Sequence, residues 1–193
     1  MNDALKKIAD NHRTAVDGFL TQSGEQIVAL AKICADAIAK NNKLMFCGNG
    51  GSACDAMHIA GEFVGRYIDD RRSLPALALS ADTGIITAIA NDYTYDYIFA
   101  RQVEGLGNAG DVLICLSTSG RSPNVVKALE AAKQKGMTTV LFSGEKLKQP
   151  GTPVEADFVF IVPSLITAHV QEAHMVAMHG LATLIEAQLF PKS

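Results

Sequence analysis

A three-layer α/β domain is what this sequence predicts: a parallel five-stranded sheet flanked by helices, with two extra helices ahead of the first strand. Three observations carry that expectation. Short apolar runs at 43–47, 76–79, 111–116, 138–142 and 158–162 alternate with stretches whose apolar residues recur at helical spacing. The run Asp111-Val-Leu-Ile-Cys-Leu116 is continuously apolar after its first residue, the character of a strand buried on both faces. Strands separated by helices pair in parallel and leave both faces of the sheet covered.

The elements follow in order. Residues 3–21 and 25–40 carry apolar positions at helical spacing, such as Ile27, Leu30, Ala31, Ile33 and Cys34, and predict two helices joined near Ser23-Gly24. Lys43–Cys47 is a strand that runs into Gly48-Asn49-Gly50-Gly51-Ser52, a tight glycine turn leading to a helix N-cap. A helix from Asp55 to about Arg66 follows, then a polar surface loop at 68–73 and a strand at Ala76–Leu79. Helices are expected at 82–90 and 95–105. The strand ending at Leu116 leads through Ser117-Thr-Ser-Gly-Arg-Ser122 into a helix over Pro123–Lys135, with proline in the first turn, where its missing N–H is harmless. Strands at Thr138–Phe142 and Phe158–Val162 and a long helix over 167–189 complete the chain. No linker or repeat divides it. One domain over 1–193 is expected, with an α/β core at 42–193. Residues 1–41 form helices whose apolar faces pack against another subunit.

Composition narrows the function. Hydrophobic residues make up 48% of the 193 and charged residues 19%, a globular balance. A net charge of −3 without a basic block speaks against a dedicated nucleic-acid surface. The first residues lack the apolar core of a signal peptide, and no apolar run approaches a membrane span. Cys34, Cys47, Cys54 and Cys115 form neither a CxxC pair nor a disulfide framework and read as buried, reduced thiols. A cytoplasmic protein is the expectation.

Two strand-to-helix loops have the chemistry of an anion site. In Gly48–Ser52, small residues let backbone N–H groups approach a ligand, and a helix N-terminus adds positive potential. Ser117, Thr118, Ser119 and Ser122 place four hydroxyls within six residues, more than one helix cap uses. In a parallel sheet both loops lie at the carboxyl ends of the strands, where ligands bind. Neither loop is GxxxxGK[ST] or GxGxxG, so a phosphomonoester fits better than a nucleoside triphosphate.

Two helices bring acid–base groups. His58 and Glu62, at i and i+4, project from one helix face and can hold a metal or simply touch each other. Gln171, Glu172, His174 and His179 interrupt the otherwise apolar last helix, and three of the five histidines fall between 169 and 179. Imidazole and carboxylate suit a divalent metal such as zinc, with a Gln amide oxygen the weaker ligand. Gln171 and His179 are eight residues apart, about 12 Å of helix rise. Either the helix is irregular at its start or different subunits supply the two groups, and a site at a subunit boundary is the reading preferred.

Taken together, these residues resemble a known family. Cys47-Gly-Asn-Gly-Gly-Ser-Ala-Cys-Asp-Ala-Met-His58 with Glu62 and Gly65-Arg-Tyr67, then Ala90-Asn-Asp-Tyr93, Ser117-Thr-Ser-Gly-Arg-Ser-Pro-Asn124 and Gln171-Glu-Ala-His174 with His179, are similar to the signatures of phosphoheptose isomerases. The resemblance runs in order from about 43 to 186 and implies a single SIS (sugar isomerase) domain of flavodoxin-like, three-layer build. It implies conversion of sedoheptulose 7-phosphate to D-glycero-D-manno-heptose 7-phosphate, the entry to ADP-heptose for the lipopolysaccharide core, by a homotetramer with zinc-binding sites between subunits. By resemblance, His58, Glu62, Gln171 and His179 are metal ligands. Asn49, Gly50, Gly51, Ser52, Asn91, Asp92 and Gln171 contact substrate, and Ser117, Thr118, Ser119 and Ser122 hold its phosphate. Ketose–aldose isomerisation needs a base for carbon, an acid for oxygen and stabilisation of an oxyanion. Glu62 is the better base and His179 the better acid.

The chain departs from the family pattern at Ala168, where many relatives carry Asp, and at Gly144–Gly151, which replaces a glycine pair and leaves that loop's length open. A second reading is a non-catalytic SIS protein that binds the replication initiator DnaA. Ser73–Ala76 and Leu189–Pro191 resemble segments of such a relative, but that relative lacks the counterparts of Glu62 and His179. A third is a sugar-phosphate-sensing SIS module of a regulator, against which stands the lack of a fused DNA-binding domain.

Overall fold

The computed structural model describes residues 2–151 and 154–191; the domain bounds expected from sequence therefore extend over five residues outside the described ones. All five expected strands form: β1 (Leu44–Gly48), β2 (Ala76–Ala78), β3 (Val112–Leu116), β4 (Thr138–Gly144) and β5 (Phe158–Val162). Every pairing is parallel, in the order β2-β1-β3-β4-β5. The helices are α1 (Asp3–Ala39), α2 (Gly51–Val64), α3 (Thr83–Asp92), α4 (Ala100–Leu106), α5 (Pro123–Gln134) and α6 (Thr167–Leu189).

The sheet separates two cores because successive side chains of a strand point to opposite faces. Leu44 and Phe46 of β1 join Ile114, Phe142 and Phe160 beneath α1, α2 and α6. Met45 and Cys47 join Leu113, Cys115 and Leu141 beneath α4 and α5. The central strands are buried throughout, as their unbroken apolar runs require.

Three expectations are corrected. The two N-terminal helices are one, a continuous 37-residue α1. Ser23 is buried on the face that carries Ala15, Phe19, Ile27, Leu30 and Cys34, while Gly24 looks into open space, so nothing turns the chain there. A glycine inside a helix costs only about 1 kcal/mol relative to alanine, less than the burial of that long apolar face returns. The segment expected as a helix at 95–105 divides into a 3₁₀ turn at Tyr95–Tyr97 and α4. Helix α2, expected from Asp55, begins at Gly51, capped by Gly50 at φ 57°, with Ser52 buried in its first turn.

Sheet order positions the site. The chain leaves β1 for β2 on one side and returns to β3 on the other, so the connections diverge and a crevice opens at the carboxyl ends of β1 and β3. The Gly48–Ser52 loop follows β1, and the Ser117–Ser122 loop follows β3.

Candidate active site

The two loops and the start of α6 enclose a cavity of about 200 Å³ at this crevice. Asn49, Gly51 and Ser52 line it from the first loop, Ser117, Thr118, Ser119 and Ser122 from the second, and Thr167 and Gln171 from α6. Each loop is shaped by a glycine in the left-handed region, Gly50 at φ 57° and Gly120 at φ 68°. A Cβ on Gly51 would collide with the Gln171 side chain. The missing side chain is what lets α6 reach the loop, where Gln171 Nε2 donates to Ser52 Oγ at 3.4 Å. In the second loop Gly120 N–H donates to Ser117 Oγ at 3.2 Å, Arg121 N–H donates to Ser119 Oγ at 3.3 Å, and the Ser117 and Ser122 hydroxyls stand 3.4 Å apart. Gly51 and Ser52 of α2, the α5 cap Ser122 and Thr167 of α6 all border this one cavity, so three helix dipoles favour an anion there.

The Gly144–Gly151 segment, left open by sequence, forms a 3₁₀ turn at Glu145–Lys148. Arg121 holds it by donating to the carbonyls of Leu147 at 2.9 Å, Pro150 at 2.8 Å and Gln149. The loop is thereby fastened to the hydroxyl-bearing loop. Ala168, the other departure, is exposed beside Thr167 in the first turn of α6.

A second cluster joins α2 to α6. His58 Nε2 lies 3.0 Å from His179 Nε2 and 3.4 Å from Glu62 Oε1. Two imidazole nitrogens at that distance need a proton between them or a shared cation. Tyr67 stacks on the His179 ring, with centroids 5.5 Å apart and planes 9° from parallel, and His58 meets the same ring edge-on. Arg71 fixes the backbone underneath. It donates to the carbonyls of Glu62 at 2.7 Å, Phe63 at 2.9 Å and Gly65 at 3.0 Å, and pairs with buried Glu186 of α6 at 2.7 Å. One turn before His58, Asp55 has a buried Oδ2 without a hydrogen-bond partner. Burial raises its carboxyl above the usual range, and the charge of His58 opposes that rise.

The polar residues of α6 separate into distinct uses. Only His179 reaches the α2 cluster. His169 and His12 of α1 share Glu172 Oε2, at 3.1 and 2.7 Å, and both contacts favour its ionised form. His174 is buried in the core against Phe142, its Nε2 3.3 Å from the Ser143 carbonyl oxygen, and burial lowers its pKa to about 4. The helix is unbroken from Thr167, so the irregular start allowed by the sequence reading does not occur; Gln171 faces the cavity and His179 faces His58. Among the described residues no three His, Cys, Asp or Glu side chains gather as a metal-holding group. Cys54 is exposed on α2, which corrects the expectation of four buried thiols; Cys34, Cys47 and Cys115 are buried.

Asn91 and Asp92 end α3, exposed and hydrogen-bonded to one another at 2.9 Å, outside the lining of this cavity. The sequence reading passed over three residues that do reach the site: Thr167 in the lining, and Asn124 and Tyr95, both bonded to Asn49. Asn124 stands inside the quoted hydroxyl-rich motif, so its place there was the available signal. A larger cleft of about 650 Å³ runs along α6 beside Arg71, Thr183 and Phe190. Its cation, Arg71, is already consumed by Glu186 and backbone carbonyls, which leaves that cleft poorly suited to an anion.

Comparison with known proteins agrees with this geometry. The family described as SIS domain matches residues 9–144. The phosphoheptose isomerase of Bradyrhizobium sp. (strain ORS 278) is 44% identical over 98% of both chains. That of a Nitratiruptor species is 51% identical over 96% of this chain and 98% of its own. The solved phosphoheptose isomerase of Neisseria gonorrhoeae superposes with a TM-score of 0.85 at 34% identity, covering 96% of this chain and 98% of that one. On identity, coverage and fold together, the chain belongs to the phosphoheptose isomerases, within the SIS domain family.

Proposed function

We propose that the protein is a ketose–aldose isomerase that converts sedoheptulose 7-phosphate to D-glycero-D-manno-heptose 7-phosphate through an enediol, the first step towards ADP-heptose and the lipopolysaccharide core. The observation that carries the reading is a phosphate-sized cavity ringed by hydroxyls and three helix N-termini, whose bordering helices α2 and α6 also carry the His58–Glu62–His179 cluster. The phosphate is held by Ser117, Thr118, Ser119 and Ser122, and Gln171 and the Gly48–Ser52 backbone orient the sugar. Glu62 takes the proton from one carbon and returns it to its neighbour, while His179 moves the proton of the adjacent oxygen. General acid–base help of this kind is worth about 10²–10⁴-fold. Asn91 and Asp92 contact the sugar in this reading.

The donor chemistry suits zinc. His58 Nε2 lies 3.0 Å from His179 Nε2 and 3.4 Å from Glu62 Oε1, and imidazole and carboxylate are donors that zinc takes, although among the described residues the three do not gather as a metal-holding group within one chain. His58, Glu62 and His179 would hold it, with Gln171 as fourth ligand across a subunit boundary of a homotetramer. Bound there, the ion would supply Lewis-acid polarisation of the substrate carbonyl. Among the described residues no helix is long and apolar enough to cross a membrane, which accords with a cytoplasmic site of action.

The initiator-binding reading has one observation in its favour. Arg72, the residue before Ser73, lies over the Phe190 ring at 5.9 Å, so the chain just ahead of one segment that resembles the DnaA-binding relative touches the other. A coupled isomerase assay with and without chelator separates the readings. Heptose-phosphate interconversion that falls on chelation and returns with zinc is expected. Capture of the initiator with no interconversion would overturn the enzyme reading.

A further inference from the structure

Asn49 is held by two neighbours. Its Oδ1 accepts from Asn124 Nδ2 at 2.8 Å and from the Tyr95 hydroxyl at 3.0 Å, while its Nδ2 donates to Asn124 Oδ1 at 2.9 Å. An amide has two acceptor lone pairs and two N–H donors. Both lone pairs are therefore used, and one N–H remains. Asn49 lines the cavity, and Asn124 is only 2% exposed, anchored in the first turn of α5.

We propose that Asn124 and Tyr95 are positioning residues that hold Asn49 as a pure hydrogen-bond donor, so that the site selects an acceptor oxygen of the sugar through the one N–H left free. The proposal rests on the sugar-phosphate reading above and adds where sugar selectivity comes from. Without its partners the Asn49 amide can turn over and present oxygen or nitrogen equally, and the ligand must bear the loss of that freedom on binding. The phosphate-binding hydroxyls lie on the other loop and need no such orientation. Loss of the clamp should therefore weaken recognition of the sugar and spare recognition of phosphate.

The test titrates the full chain, Asn124→Leu and Tyr95→Phe with two probes, inorganic phosphate and sedoheptulose 7-phosphate, and follows kcat and KM for the latter. Neither substitution alters charge, so phosphate affinity is not perturbed electrostatically. Affinity for the heptose phosphate should fall about tenfold in Asn124→Leu and about threefold in Tyr95→Phe, the size of lost hydrogen bonds, with inorganic phosphate binding within about twofold of the parent. Equal loss of both probes would make the pair a spacer between loops and overturn the proposal, as would no loss of either. If Asn124→Leu fails to fold, Tyr95→Phe decides, because it removes only a hydroxyl from an exposed residue. A parent protein that binds inorganic phosphate but not the heptose phosphate contradicts the functional reading and the proposal together. A parent that binds both, with variants indistinguishable from it, contradicts the clamp alone.

Discussion

At the scale of single residues, the histidines show how one side chain serves opposite ends. His179, stacked on Tyr67, is held beside His58 at the α2–α6 contact. His174, five residues earlier on the same helix, is sealed in the core with a Nδ1 that has no partner. Its pKa near 4 lies below the ordinary 6.5 because burial opposes the charged form. Between those values the unfolded chain binds the proton and the folded chain does not, so stability falls as pH drops from about 6.5 towards 4. The full effect is on the order of 3 kcal/mol. Urea midpoints at pH 7.5 and 4.5 should show that loss in the parent and little of it in His174→Phe. A parent with the same midpoint at both values would contradict this account. Spacing alone did not divide these two histidines, since both punctuate one apolar helix; the family resemblance singled out His179, and the neighbouring elements seal His174 in the core.

At the scale of elements, the proposed catalytic pair depends on how α2 and α6 are fastened. Glu62 and His179 lie on different helices, and Arg71 joins them by capping the last carbonyls of α2 while pairing with Glu186. The pair is almost wholly buried, with side chains 3% and 8% exposed. Removing one partner strands the other charge, at a cost of about 3–5 kcal/mol. Arg71→Leu should therefore lower the chemical-denaturation midpoint by that equivalent, whereas Lys133→Ala, which breaks an exposed pair with Glu155, should shift it little. Helix α6 was legible in sequence to its observed ends, because its period is long and strong. The join at Ser23-Gly24 was misread, since a local break signal was outweighed by packing of a continuous face against α6. Arg71 was read as part of a polar surface loop. Nothing local tells a capping arginine from a solvated one.

At the scale of the molecule, the site comes from strand order. The two candidate anion-binding loops have 64 residues between Ser52 and Ser117, yet meet because β1 and β3 are neighbours in the sheet. The loops could be read from their glycines and hydroxyls, and the His58–Glu62 pair from its spacing, because each is a local pattern. The contacts of Asn49 with Asn124 and Tyr95 could not, because they exist only once the sheet is assembled. The proposed phosphate cavity borders α2 and α6, the two helices that carry the His58–Glu62–His179 cluster, and the proposed proton transfer on an anchored sugar phosphate depends on that proximity.

Turnover of sedoheptulose 7-phosphate by the parent, Glu62→Gln and His179→Gln, with inorganic phosphate affinity measured on the same samples, tests that arrangement most directly. Loss of kcat by about 10²–10⁴-fold in each variant, with phosphate affinity and fold retained, is the predicted result. Variants that keep the parent's kcat would contradict it.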